Sequence, residues 1–430
     1  MTTATRARVA VLLAGVLTAC APTGAPPAPA PTSTAAPPTT RVPTLEPGTG
    51  ATVLTPIAVS PVAEIAPVLG ADDRVHLAYE LAVTNPSSEE VHLRSVTVLD
   101  GTHGDSALST LDADALGRLF RPAGDSPGPS LRPGESGYLF VDATLAPDAP
   151  LPHLVRHRFA VATQPAQAPE DVGPRDTDPA PPPMRDLEFT GVPVAVTGQP
   201  AVILAPPLRG SGWVVGNGCC DTITSHRGAV LPINGTVHAA ERFAVDLVQL
   251  DAQRRLYSGP PTDVSSYRYF GTDVLSAADG MVVTAEDGMP EQTPGKLPDG
   301  VTVQTAAGNH VVVDLGGGRF ALYAHLQPGS LRVRPGQQVR TGDVIGRLGN
   351  SGNTDTPHLH FHVMDGPSPL ESNGLPFVLS RFTGEGVVSG EEALEETTPG
   401  TAPVIPVDSG RLAGPHRDQL PLNLQMVGFG

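Results

Sequence analysis

Lysine is almost missing from this chain: among 430 residues only Lys296 carries an ammonium side chain. With 27 Lys plus Arg against 44 Asp plus Glu, the formal charge is −17 and the pI about 5.1. No basic run exists to neutralise a phosphate backbone, which excludes nucleic acid as a partner. Aromatic residues are only 4% of the chain, with a single tryptophan. Long apolar runs are also scarce: Val9 to Ala19 is the clearest, and it is too short to span a bilayer as a helix. Two hydrolase signatures are missing, the His-Glu-x-x-His helix and the Gly-x-Ser-x-Gly elbow, and no catalytic-cysteine context occurs beyond the adjacent Cys219 and Cys220.

Proline (48) and glycine (47) are abundant. Together with 40% hydrophobic residues and a mean hydropathy of −0.04, they describe a globular chain of two or three domains, rich in turns and β-structure.

Residues 1–20 read as a secretion signal, with Arg6 and Arg8 ahead of the apolar core. Leu17-Thr18-Ala19-Cys20 resembles a bacterial lipoprotein cleavage box, in which Cys20 is lipidated and ties the protein to the outer face of the cytoplasmic membrane. Residues 21–50 are Pro/Ala-rich and form a tether that cannot bury a core. Cys219 and Cys220 are then the only thiols left, either joined as a vicinal disulfide or free.

The fold class is all-β. Residues 51–198 alternate apolar and polar in short runs (Leu77 to Val83, Val91 to Leu99, Gly137 to Leu145, Leu154 to Ala162, Leu187 to Thr197), which predicts an immunoglobulin-like β-sandwich. A disordered loop is expected near 164–183. His76, His92, His103, His153 and His157 read as surface or locally bonded residues. Residues 199–430 shift to glycine turns and valine-rich runs, including Val301 to Thr305, and predict a small antiparallel sheet domain. A mobile acidic segment is expected near 385–408, and Leu420 to Phe429 reads as a strand at a sheet edge.

The stretch richest in chemistry is Thr356-Pro-His-Leu-His-Phe-His-Val363. On a strand, His358, His360 and His362 share one face, and Leu359, Phe361 and Val363 the buried other. Histidines two apart stand roughly 6.5 to 7 Å from each other, so one can hold a metal while the next reaches over the same cleft. A lone histidine is more often a solvated or locally bonded residue; the cluster argues for a site. Open catalytic zinc sites need three protein ligands. Asp246, on the apolar run Phe243 to Val248, and His325, ending Leu322-Tyr-Ala-His, are the other polar residues aimed from strands.

Asp246, Gly308-Asn309, Tyr323-Ala-His-Leu326, the Gly336/Gly342/Gly346/Gly349 run, Gly349-Asn-Ser-Gly352 and Pro357-His-Leu-His-Phe361 together resemble the lysostaphin-type, or LytM-like, zinc metalloendopeptidases. These enzymes cut peptidoglycan peptide cross-links. The likeness runs from about Trp213 to Phe382 and implies a small β-sheet domain with an open groove. It implies Zn2+ held by His238, Asp246 and His360, with His325 and His358 facing the water and the scissile carbonyl. Two departures stand out. The family commonly spaces its first histidine and aspartate four apart, whereas His238 precedes Asp246 by eight; His226 is the rival first ligand, and His238 is preferred for its shorter excursion. The family also often has an acidic residue where this chain has His362. The implied function is a membrane-anchored endopeptidase acting on peptidoglycan peptides. The alternative is a non-catalytic envelope module that binds peptidoglycan or regulates another wall hydrolase.

Overall fold

The computed structural model describes residues 52–165, 183–395 and 402–430. Alternating side chains and glycine turns produce an almost entirely β molecule; helices among the described residues are one- or two-turn pieces such as Ala113–Leu119. None is long and apolar enough to cross a membrane. Cys20, the tether and most of the 164–183 loop lie outside the described residues.

In the amino-terminal half, one sheet runs Ala58–Pro61, Val75–Thr84, Ser136–Leu145, Phe120–Pro122, and a second runs Arg185–Thr190, Leu154–Pro165, Glu89–Asp100, Ser106–Leu111. Leu77, Tyr79, Leu81 and Val141 from the first meet Val91, Val96, Val98 and Phe159 from the second in one core. Each such side chain removed from water contributes about 1.5–3 kcal/mol, so the alternation fixes which way each strand faces. The result is a two-layer sandwich. His76 and His157 are buried in it rather than exposed, His76 between Asp72 and Asp142, and His157 against the Tyr79 hydroxyl at 2.6 Å.

The carboxyl-terminal half is built on one long sheet, ordered Gln338–Val339, Gly280–Glu286, Asn309–Gly316, Arg319–Leu326, Leu359–Met364, Val245–Gln249, Gly210–Gly216, Gln425–Phe429, Phe382–Val388, Val407–Asp408. Its register sets the site. Ala324 pairs with His360, His360 with Asp246, and Asp246 with Gly216. Cross-strand partners have Cβ atoms about 4.5–5.5 Å apart, so Asp246 and His360, distant in sequence, are forced onto one face as neighbours.

Three expectations are corrected. Val301 to Thr305 is a turn rather than a strand, closed by the Thr305 N–H to Thr302 carbonyl bond at 3.0 Å. Gln425–Phe429 pairs on both sides, with Gly210–Gly216 and Phe382–Val388, so it is interior and not an edge. Within 385–408, the described part is tied in: the Glu385 carboxylate accepts the Gly212 N–H at 2.8 Å, and Ala402 and Ile405 are buried.

The two halves share structure within one compact unit. Val68, Ala71 and Ala78 pack into the core of the second half. Arg242 forms an ion pair with Glu80 at 3.0 Å, both side chains almost wholly buried. Arg227 donates to the Val141 carbonyl at 3.0 Å and to that of Cys220. Cys219 and Cys220 are joined to each other as a disulfide. The segments that carry the site are therefore braced against the sandwich.

Candidate metal centre

Four histidines surround Asp246, and the backbone orients most of them. His226 donates Nδ1–H to the Ala244 carbonyl at 3.1 Å, which turns its Nε2 toward Asp246 Oδ2 at 3.2 Å. His358 donates Nδ1–H to the Thr356 carbonyl at 2.7 Å and brings Nε2 to 3.2 Å from Asp246 Oδ1. His325 donates Nδ1–H to the Ser351 carbonyl at 2.7 Å, and its ring centroid stands 4.7 Å from that of His358. His360 is mounted the other way round, with Nδ1 3.1 Å from Asp246 Oδ1. A carbonyl that takes the proton of one ring nitrogen leaves the other nitrogen free to accept a proton or bind a metal.

His226, Asp246 and His360 each offer one ligand atom within 4.8 Å of the others, and all three are buried or nearly so. Two imidazole nitrogens and a carboxylate oxygen form a three-ligand donor set of the kind that catalytic zinc uses. His325 and His358 adjoin it, and with His360 form a second such group. His325 holds a left-handed backbone, φ 61°, a conformation costing about 1–3 kcal/mol for a side-chain-bearing residue and characteristic of functional positions.

The electrostatics follow from burial and from one carboxylate. Burial opposes ionisation of Asp246, but His226 and His358 outweigh it and hold the carboxyl well below its usual range. Burial likewise works against a charged His226, yet Asp246 lifts that ring to about 9. His358 is raised for the same reason, against its own burial. His325 is pushed well below the ordinary imidazole range by burial and by His358 and His360. Without metal, Asp246 is thus an anion between two proton-holding rings; a cation entering there would displace those protons.

Of the residues proposed from sequence, the fold brings together Asp246, His360, His325 and His358. His238 stands apart, a correction to the expected ligand set. It lies on Thr236–Ala239, the second strand of a hairpin with Val230–Ile233, and belongs to no potential ligand group among the described residues. The hairpin is an excursion that leaves and returns, so the longer separation in sequence is the shorter one in space. His226 had one mark in the sequence, the Gly228 that closes its turn onto the Thr224 carbonyl at 2.9 Å. Residue 242, four before Asp246, is arginine and turns away to Glu80. Two further residues escaped notice: Asn217 donates to Asp246 Oδ2 at 2.8 Å, and Glu241 lies 3.8 Å from His360 Nε2. Neither has a periodicity that would mark it.

Residues 263–372 match the model of peptidase family M23, a span that includes His325, His358 and His360 but not Asp246 or His226. The chain is 37% identical over 89 residues to the peptidoglycan DD-endopeptidase ShyA of Vibrio cholerae, 20% of each chain. It is 33% identical over 98 residues to the cell division protein DipM of Caulobacter vibrioides, 23% of this chain and 13% of DipM. The alignments thus span a fifth or less of either relative. Among solved structures, the catalytic domain of lysostaphin from Staphylococcus simulans aligns at 21% identity over 38% of this chain and 86% of that one, with a TM-score of 0.22.

Proposed function

We propose that this chain, which carries a peptidase family M23 domain at residues 263–372, is a zinc-dependent endopeptidase hydrolysing peptide cross-links of bacterial peptidoglycan. The observation that carries this reading is the convergence of His226, Asp246 and His360 beside His325 and His358. His226 through Nε2, Asp246 through its carboxylate and His360 through Nδ1 would hold the ion. Bound zinc supplies Lewis acidity and brings the pKa of water toward roughly 7.

The remaining chemistry belongs to the protein. His325, its Nδ1–H fixed on the Ser351 carbonyl, takes up at Nε2 the proton of the water that attacks the scissile peptide. Its burial and its imidazole neighbours keep it neutral, so Nε2 carries a lone pair. His358, its Nδ1–H fixed on the Thr356 carbonyl, would in its protonated form present Nε2–H to the developing oxyanion and return a proton to the leaving amine. His226, His325 and His360 are buried, which strengthens each of these interactions.

The same reading extends to location. The Leu17-Thr18-Ala19-Cys20 box supports lipid anchoring at Cys20, which would hold the peptidase in the cell envelope; Cys20→Ser should move the protein from the membrane to the soluble fraction.

Incubation of the purified full chain with peptidoglycan tests the activity. The reading expects new amine termini that disappear with a chelator and return with added zinc. Binding to the polymer without new amines would instead leave a non-catalytic envelope module.

A further inference from the structure

His362 is the one histidine of the cluster to which the mechanism gives no task, and it is fully buried on Leu359–Met364. Side chains two apart on a strand share a face, so its ring stands beside that of His360, with centroids 5.0 Å apart and planes at 87°. Its Nδ1 lies 2.9 Å from His360 Nε2. Its own Nε2 is buried and has no hydrogen-bond partner among the described residues. The polar content of this side chain is therefore directed at a single atom of a single neighbour.

That atom decides the tautomer of His360. For His360 to offer a lone pair at Nδ1, on the side facing Asp246, its proton must sit on Nε2, and a buried N–H needs an acceptor. The other rings use backbone carbonyls of Ala244, Ser351 and Thr356. His360, in the middle of a strand paired on both sides, makes no hydrogen bond to such a carbonyl among the described residues. Two groups lie near its Nε2. The Glu241 carboxylate at 3.8 Å is beyond hydrogen-bond range, and the His362 nitrogen at 2.9 Å is within it.

We infer that His362 is a positioning residue: its Nδ1 accepts the Nε2–H of His360 and so fixes the tautomer that presents Nδ1 to the metal, at the cost of leaving its own Nε2–H buried without a partner. The inference rests on the metal reading above and adds to it the group that orients one ligand. A neutral imidazole here does the work that a carboxylate or backbone carbonyl does behind other metal-bound histidines. It leaves Asp246 as the sole anion among the three ligands.

The test is zinc affinity of the full chain, measured by chelator competition for wild type and three variants, beside thermal unfolding of each metal-free form. Asparagine places an acceptor oxygen near the position of Nδ1, glutamine places its amide near Nε2, and leucine offers neither. His362→Leu and His362→Gln should weaken zinc binding about 10–100-fold, whereas His362→Asn should stay within about threefold of wild type. If Asn weakens binding as much as Leu, or if none of the three changes it, the inference is overturned and His362 is packing only. The nitrogen-15 shifts of zinc-loaded wild type give a second reading that needs no variant: protonated Nε2 on His360 and unprotonated Nδ1 on His362 are expected, and the reverse refutes the inference. A wild-type chain that binds no zinc overturns the metal reading itself, and this inference with it.

Discussion

The ion pair between Glu80 and Arg242 is the clearest handle on how the sandwich supports the site. Both side chains are essentially removed from water, 0% and 1% exposed, at 3.0 Å. Arg242 also donates to the Glu64 carbonyl at 2.8 Å. Removing one member of a buried pair strands the other charge and typically costs 3–5 kcal/mol. Glu80 also acts on Arg227, so Arg242→Met leaves Glu80 a second cation and should cost about 3 kcal/mol, whereas Glu80→Gln strands both arginines and should cost about 5 kcal/mol. The double variant strands neither partner of the pair, with Asp142 and Asp221 still acting on Arg227, and should cost less than the sum of the two by about 2 kcal/mol. Urea unfolding followed by the fluorescence of Trp213 measures this directly. It is the only tryptophan, is fully buried, and lies edge-on to Tyr269 at 5.9 Å. Single variants within about 0.5 kcal/mol of wild type, or strict additivity in the double, would refute the reasoning.

Three further outcomes follow from named contacts. His76 is buried, which disfavours its charged form, but hydrogen bonds to Asp142 and Asp72 raise it to about 9. Its folded pKa lies above the unfolded value near 6.5, so its stabilisation is complete below about pH 6.5 and fades as pH rises through about 9. The loss is about 3 kcal/mol and should vanish from the pH–stability curve of His76→Gln. His325→Ala should keep its zinc and lose about 10²–10⁴-fold in turnover, read by metal content and peptide cleavage side by side. Gly308 has φ +60°, and a Cβ there would stand 2.1 Å from the Ser351 carbonyl oxygen that holds His325. Gly308→Ala should therefore lower turnover while leaving zinc in place, and an unchanged rate would count against the role of that carbonyl.

Much of this was legible in the sequence because register follows from alternation. In Phe243 to Val248 and Leu359 to Met364 large apolar residues alternate onto one face, so Asp246 and His360 take the other, and antiparallel pairing made them neighbours. The sandwich was readable for the same reason, from alternation in residues such as Leu77 to Val83. What was not legible came from chain reversals. His226 reaches the centre from a turn with no period, across a hairpin whose length made His238 look nearer. Asn217 and Glu241 likewise act from loops, where pattern says nothing of direction. Interior placement of Gln425–Phe429 depended on a partner strand inside a segment whose acidic, Pro/Thr-rich composition reads as mobile.

The claim on which the rest stands is that His226, Asp246 and His360 hold one metal ion. Zinc stoichiometry of the purified full chain, measured on wild type and on His226→Ala and His238→Ala together, addresses it most directly. One equivalent in wild type and His238→Ala, with almost none in His226→Ala, is the predicted result. Zinc retained by His226→Ala and lost from His238→Ala would contradict it.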